Sequence, residues 1–268
     1  MSLLLSVVLI TKNEEANLAR TLESVKPLVA DGQGEIIVVD SGSTDRTVEI
    51  AKSFGAKVFV EEWKGFAAQK NSAIEKATGE WVLSLDADEG VEPELAEEIR
   101  GILQNGDAGS PDAQGFWIPR KNYFLERWMR HGGFWPDRKL RLFRRGKGAV
   151  EDRAVHETIQ VDGKTSNLKY ALLHHAYPTL DIYLEHMRRY ADLGAEMIKD
   201  KPRGWLWLNR WLNPPLTFFY NYVVRLGFLD GREGYLLHWN HRRYVGWKYA
   251  KALELSSSPR SRGGAEKD

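Results

Sequence analysis

Apolar positions in the first ninety residues come in short continuous runs, each followed by a polar turn and then by a helical spacing. Leu3 to Ile10 is unbroken and rich in β-branched residues, which predicts a strand covered on both faces, as in a parallel sheet. It ends at Thr11-Lys12-Asn13-Glu14-Glu15. Ala16 to Val25 then predicts a helix with Leu18, Leu22 and Val25 on one face, stopped near Pro27. A second run, Glu35 to Asp40, leads into Ser41-Gly42-Ser43-Thr44-Asp45, a turn whose side chains can cap a helix from about Arg46 to Phe54. Lys57 to Val60 gives a third strand, Phe66 to Ala77 a third helix and Glu80 to Leu85 a fourth strand. Such alternation predicts an α/β sheet with crossover helices and a site at the carboxyl ends of the strands.

The fourth strand releases three acidic residues within four positions, Asp86-Ala87-Asp88-Glu89. Two aspartates at a strand end can place oxygen ligands on a hard divalent cation that also holds a diphosphate. The rival reading is that acids simply begin the next helix, where the macrodipole favours them. Asp40 closes the second strand as Asp86 closes the fourth. Its carboxylate can accept from the N–H groups of a nucleobase, or it can cap its own turn. Lys70 and Asn71 face the same edge if the third helix packs in the usual way. There Lys70 either offsets phosphate charge or is a solvated helix lysine.

Beyond a helix from about Glu92 to Leu103, the polar stretch Gln104 to Asp112 reads as a connector and Gly115 to Pro119 as a strand. Asn122 to Trp135 is aromatic and basic around Gly132-Gly133. Aromatic faces and forked donors are expected to line part of a binding pocket there, Trp135 included, with plain core packing as the alternative. In Asp137 to Arg145 alternation puts Leu140 and Leu142 on one face and Lys139, Arg141 and Phe143 on the other. Arg138 and Arg141 on such a strand suit phosphate or another anionic ligand. In Val150-Glu151-Asp152-Arg153-Ala154-Val155-His156-Glu157, His156 is either a metal or diphosphate contact or a structural histidine.

Thr179 to Lys199 has helical spacing, and Lys201-Pro202-Arg203-Gly204 breaks it. Trp205 to Pro215 and Leu216 to Leu229 are apolar, yet neither approaches the ~20 residues that span a bilayer, and Arg210, Pro214, Pro215 and Arg225 interrupt the sum. This part is expected to lie on a membrane surface, with packing on the preceding α/β domain as the rival. Phe228 to Gly234 reads as a loop before a last helix, and Ser256 to Asp268 as a disordered tail.

The chain of 268 residues, 43% hydrophobic, can bury a full core. With no cysteine, any metal must sit on oxygen or imidazole, and a reducing cytoplasm fits. A formal charge of +1 argues against a nucleic-acid binder. The average hides a basic end: residues 201–251 hold nine Lys/Arg against two acids, and half of the ten tryptophans. Those basic residues suit an anionic membrane. The N-terminal run lacks the basic flank and cleavage site of a signal peptide.

Four motifs stand in a telling order: Thr11-Lys12-Asn13-Glu14-Glu15, Val38-Val39-Asp40-Ser41-Gly42-Ser43-Thr44-Asp45, Lys70-Asn71 before Ala77-Thr78-Gly79-Glu80, and Asp86-Ala87-Asp88. Together they resemble the nucleotide-sugar-binding half of a family 2 glycosyltransferase of GT-A fold. The resemblance implies a mixed, Rossmann-like sheet flanked by helices, to which the basic, Trp-rich end adds a helical membrane-associating extension at the C-terminus. It implies that Thr11, Asn13, Glu14, Asp40, Lys70 and Asn71 bind the nucleotide sugar and that Asp86 lies near the ribose and diphosphate. Asp88, joined by His156, would ligate Mg²⁺ or Mn²⁺. Lys12 stands where the family often has an aromatic residue.

Glu151-Asp152 resembles the family's Glu-Asp motif. By that resemblance Asp152, or else Glu151, takes the proton from the acceptor hydroxyl in an inverting transfer. With Val155-His156-Glu157, Phe228-Leu229-Asp230-Gly231 and the basic tail, the chain most resembles bacterial lipopolysaccharide core transferases of that family, similar to β-1,4-glucosyltransferases of the inner core. The implied organisation is a catalytic domain over 1–175 (nucleotide half 1–90, acceptor half 91–175), an extension over 176–255 and a tail over 256–268. A UDP-sugar donor and a lipid-linked saccharide acceptor follow from the resemblance, and the basic, Trp-rich end is expected to hold the protein peripherally on the inner face of the cytoplasmic membrane. A polyprenyl-phosphate glycosyl synthase and a catalytically silent binding or docking module are the alternatives.

Overall fold

A computed structural model describes residues 3–105, 109–151 and 158–257. The chain divides into two compact units, residues 1–123 with 134–176, and residues 124–133 with 177–268. The short stretch 124–133, expected within the catalytic domain, is thus built into the second unit.

The first unit starts with β1 (Leu5–Thr11), α1 (Leu18–Val29), β2 (Gly34–Asp40), α2 (Thr47–Ser53), β3 (Lys57–Val60), α3 (Phe66–Glu75) and β4 (Trp81–Leu85). There follow β5 (Glu89–Val91), α4 (Pro93–Asn105), β6 (Gly115–Phe124) and, after the two-residue strand β7 (Arg127–Trp128) of the second unit, β8 (Asp137–Arg144). A hairpin of β9 (Gly148–Val150) and β10 (Ile159–Val161), then β11 (Thr165–Asn167) and β12 (Leu172–Tyr177), complete it. Strand order in the main sheet is β3-β2-β1-β4-β8-β6-β12-β5. β1 to β4 are parallel; β8 pairs antiparallel with both β4 and β6.

Both faces of the parallel part are covered, which is why its strands read as continuous apolar runs. Leu5, Val7 and Leu9 of β1 pack with Leu18, Leu22 and Val25 of α1 on one face. Val8, Ile37, Val39 and Val82 pack with Ala67, Ala73 and Ile74 on the other. α1 carries Pro27 in its last turn and runs two residues past it. α4 opens at Pro93, where a missing N–H costs nothing. The two-faced reading of β8 does not hold: a bulge opposite Phe116 and Trp117 skips Arg141, so Leu140 and Phe143 pack into one core cluster and Leu142 into the other, and all four residues are buried.

At the opposite, N-terminal edge a buried carboxylate ties three segments. Glu35 accepts from Ser6 Oγ (2.7 Å), Thr78 N (2.8 Å) and Lys57 Nζ (2.7 Å). These bonds hold its carboxyl down at about 2 although burial works the other way.

The second unit is helical: α5 (Leu180–Ile198), capped by Thr179 Oγ1 accepting from Ile182 N, then α6 (Arg203–Phe218) and α7 (Gly231–Ser257). Ala195, Leu206, Val245, Tyr249 and Ala252 form its core, and Asn213 Nδ2 donates to Tyr249 Oη at 2.6 Å. α6 continues through Pro214 and Pro215 into a π-turn over Phe219–Val224, then a 3₁₀ turn over Gly227–Asp230. The loop expected over 228–234 is therefore helical on both sides of Gly231, and the tail expected from Ser256 begins as helix through Ser257. Among the described residues no helix is long and apolar enough to cross a membrane.

Candidate active site

The register sets Thr11 beside Asp40 and Leu9 beside Leu85, so the loops after β1, β2 and β4 leave one edge of the sheet. β1 lies between β2 and β4, and the chain reverses its direction of travel across the sheet there. Ligands of open α/β sheets collect at such a switch point.

The first two loops are zipped together. Asp40 accepts from Gly42 N (2.9 Å) and Ser43 N (2.8 Å) on Oδ1, and from Thr11 Oγ1 (2.8 Å) and Ser43 Oγ (2.5 Å) on Oδ2. Its carboxylate is fully buried and shapes its own turn, the rival reading of that residue. Asn13, held at a positive φ of 55°, accepts from Thr44 N on Oδ1 (2.8 Å), while its own N–H donates to Ser43 Oγ (2.8 Å). Glu14 N donates to Thr47 Oγ1 (2.7 Å). Burial pushes the Glu14 carboxyl up against a bond from Asn17, and the carboxylates of Asp88, Asp45 and Asp86 add to the rise. Glu14 therefore shares an electrostatic neighbourhood with the acidic turn after β4.

That turn is the end of a chain of ion pairs. Asp86 takes Lys70 Nζ on one oxygen (2.7 Å) and the Arg141 guanidinium on the other. Arg141 also donates to Glu89 Oε1 (2.7 Å), which receives Arg120 Nη1 at 2.9 Å, and Arg120 continues to Asp137 Oδ2 (2.7 Å). Glu89 is fully buried and accepts in addition from Asp86 N (3.0 Å). Burial opposes ionisation of Asp86, yet Arg141 and Lys70 hold its carboxyl well below the ordinary range. Asp86 is thus a neutralised carboxylate, with Lys70 and Arg141 as its counter-ions.

Asp88 has a different neighbour. β12 runs antiparallel to β5 with His174 opposite Glu89, and His174 Nε2 lies 3.4 Å from Asp88 Oδ2. The other ring nitrogen, Nδ1, is 2.6 Å from Asn122 Oδ1. Asn122 donates its amide to Phe134 O (3.2 Å) and Asp137 Oδ2 (3.1 Å), so its carbonyl oxygen faces His174 and Nδ1 carries the hydrogen. Nε2 is left to face Asp88. Burial works to raise the Asp88 carboxyl, and His174 outweighs it and keeps it lowered. A carboxylate oxygen beside an imidazole nitrogen whose other nitrogen is held by an amide suits a divalent cation in its chemistry, once Nε2 gives up its hydrogen bond to Asp88. The residues fit the group as a pair; among the described residues no cluster of three or more such side chains forms.

The side chain of Asn71 is taken up by a neighbouring segment. Its amide brackets the backbone of Val150, donating to Val150 O (2.9 Å) and accepting from Val150 N (2.8 Å). It anchors the residue before Glu151, which is exposed. Asp152 and His156 lie outside the described residues. Trp135 is half-buried, and Arg138 is exposed with Nη1 3.4 Å from Leu168 O. Arg141, expected to face phosphate, is instead buried against Asp86 and Glu89. Sequence reasoning missed Glu89, Arg120, Asn122 and His174. The legible signals were the fourth residue of the acidic run and the His174-His175 pair after Leu172, an apolar run that reads as one more strand.

The family model described as "Glycosyl transferase family 2" matches residues 6–160. The chain is 30% identical over 239 residues to the lipopolysaccharide core biosynthesis glycosyltransferase LpsC of Rhizobium meliloti, covering 85% of this chain and 82% of LpsC. It is 49% identical over 99 residues to an uncharacterized glycosyltransferase of Rickettsia typhi, covering 37% of this chain and 32% of that protein. Among solved structures it is similar to the mannosyltransferase PcManGT of Pyrobaculum calidifontis, in complex with GDP-Man and Mn²⁺. The TM-score is 0.54 at 17% identity, covering 93% of this chain and 86% of that one.

Proposed function

Because the chain belongs to glycosyl transferase family 2, we propose that it moves a hexose from a UDP-sugar to a hydroxyl of a lipid-linked saccharide, with inversion at the anomeric carbon. An acceptor of the lipopolysaccharide inner-core type is supported by the similarity to LpsC over most of both chains. The observation that carries the reading is the pairing of Asp88 with His174 beside the acidic turn that follows β4. Asp88 and His174 would hold Mg²⁺ or Mn²⁺, which when bound neutralises the leaving diphosphate.

The protein's own groups do the rest. Asp86, Glu89 and Asp137 set against Lys70, Arg141 and Arg120 form a charge-balanced floor that fixes the acidic turn beside Glu14. The loops zipped by Asp40 and Asn13 shape the base pocket, and Glu151-Asp152 supplies the carboxylate that takes the acceptor proton. As the acceptor oxygen bonds to the anomeric carbon, the bond from that carbon to the diphosphate breaks, and the proton stays on the carboxylate. Asn71 keeps the approach to that carboxylate in place through Val150.

Calorimetric titration of UDP with and without Mn²⁺ tests this reading. Metal-dependent binding that disappears in Asp88→Ala is the expected result, and Asp152→Asn is expected to keep that binding while losing transfer. If neither UDP nor GDP binds under either condition, the donor site is wrong.

A further inference from the structure

α6 has two apolar faces where a soluble helical hairpin needs one. Leu206 and Pro214 are buried on the inner side, next to the Asn213 bond to Tyr249. On the outer side Leu208, Trp211, Leu212, Leu216, Phe219 and Tyr220 recur at helical spacing, and each is between 48% and 60% exposed. An exposed apolar stripe on a helix whose other side is already packed marks a surface that meets a partner or lipid. The stripe does not stop at the end of α6, since the π-turn over Phe219–Val224 has no buried residue.

The backbone then makes an outward hook. Leu226 sits at φ 60°, a left-handed conformation that side chains other than glycine rarely adopt, and its side chain is 46% exposed. The hook is pinned at its base, where Arg225 N donates to Tyr220 O and Gly132 N donates to Arg225 O, both at 2.8 Å. Phe228 and Leu229, also exposed, follow on its far side.

Charge selects the occupant. Residues 203–229 contain three arginines and no Asp or Glu. The Arg210 guanidinium lies 5.6 Å from the Trp211 ring centre and that of Arg225 lies 5.5 Å from Tyr220's, so cations sit among the aromatic rings of the stripe itself. The first carboxylate after them, Asp230, is buried and bound to His131 through both backbone N–H (2.9 Å) and Nδ1 (2.8 Å). A second copy docking by a two-fold axis would set arginine against arginine. An anionic bilayer offers acyl chains to the stripe and phosphates to the guanidinium groups at one depth.

We propose that the face from Leu208 to Leu229 is a membrane-docking surface that beds at the boundary of headgroups and acyl chains of anionic phospholipid. It stands apart from the transfer chemistry, and its test needs no substrate. The full chain is sedimented with vesicles of phosphatidylglycerol and phosphatidylcholine, and with phosphatidylcholine alone, alongside Trp211→Asp/Leu216→Asp and Arg210→Gln/Arg225→Gln. Both pairs are exposed; UDP titration and thermal melting of each variant report that the fold is intact.

The expected result is binding to the anionic vesicles that weakens with added salt. It should fall about tenfold or more in the stripe variant and by about tenfold in the arginine variant. Absence of binding, equal binding to both vesicle types, or undiminished binding by the stripe variant would overturn the proposal. So would a dimer in light scattering that the stripe variant dissociates while vesicles bind nothing. Vesicle binding without UDP binding would leave the surface standing and remove the donor site; the reverse result would do the opposite.

Discussion

His174 stands across the β5–β12 ladder from Glu89, and this register carries its Nε2 to 3.4 Å from the carboxylate of Asp88. If the two side chains share a cation, His174→Ala should weaken Mn²⁺ binding in the presence of UDP by about ten- to a hundredfold, and Asn122→Ala by less. Metal titration followed by electron paramagnetic resonance reads both. Equal Mn²⁺ affinity in wild type and His174→Ala would remove the histidine from the site.

Glu89 is the buried hinge of the ion chain, since Arg120, Arg141 and the N–H of Asp86 all meet its carboxylate. Glu89→Leu leaves two guanidinium groups short of a partner, one of them fully enclosed. The expected loss is about 3–5 kcal/mol in urea unfolding, because an uncompensated buried charge is far costlier than the pair was favourable. Glu89→Gln keeps the shape and should lose less. A change within experimental error for Glu89→Leu would mean that the chain is ornamental.

Asn71→Ala removes both bonds to Val150 and should cost about 1–2 kcal/mol. Its larger effect is expected on kcat, about tenfold or more, through misplacement of the segment carrying Glu151 and Asp152. UDP affinity should stay at the wild-type value. A mutant that instead loses UDP affinity at unchanged kcat would return Asn71 to the nucleotide pocket.

Acid should undo the two units in different pH ranges. Burial pushes His238 and His241 down to about 4, so the unfolded chain takes up protons first as pH falls. The second unit therefore loses stability from about 6.5 downward, and the loss is complete near 4. Glu35 has the opposite sign of charge and a lowered folded value of about 2. Its contribution is present above 4.5 and is lost from there down to about 2. Acid titration should show near-ultraviolet signals of the Trp-rich second unit changing before the first unit opens. Coincident transitions in wild type and in His238→Gln would contradict this order.

The parallel half of the sheet was legible because each strand there is covered on both faces and leaves an unbroken apolar run. The edge carrying Thr11, Asp40 and Asp86 followed from that alternation. What stayed hidden depends on pairing between distant segments. β5 is three residues long and exists only because β12 pairs with it, so nothing local in Glu89-Gly90-Val91 announces a strand. His174 could not be joined to Asp88 without that register. Arg141 looked like a surface cation because strict alternation foresees neither the bulge at that position nor the packing that covers both faces of β8. Lys70 was placed at the right edge, but its partner proved to be the carboxylate of Asp86.

The excursion of residues 124–133 into the helical unit has a consequence for how the molecule can be cut and rebuilt. The polypeptide passes from one unit to the other three times, after 123, after 133 and after 176. No single junction separates them. A truncation at 176 would strand a ten-residue peptide whose His131 has lost Asp230 and whose Gly132 has lost the carbonyl of Arg225. During synthesis the same peptide emerges well before the helices that receive it, so the helical unit closes only after α7 is made. A chimera that exchanges this unit between relatives must carry both pieces together.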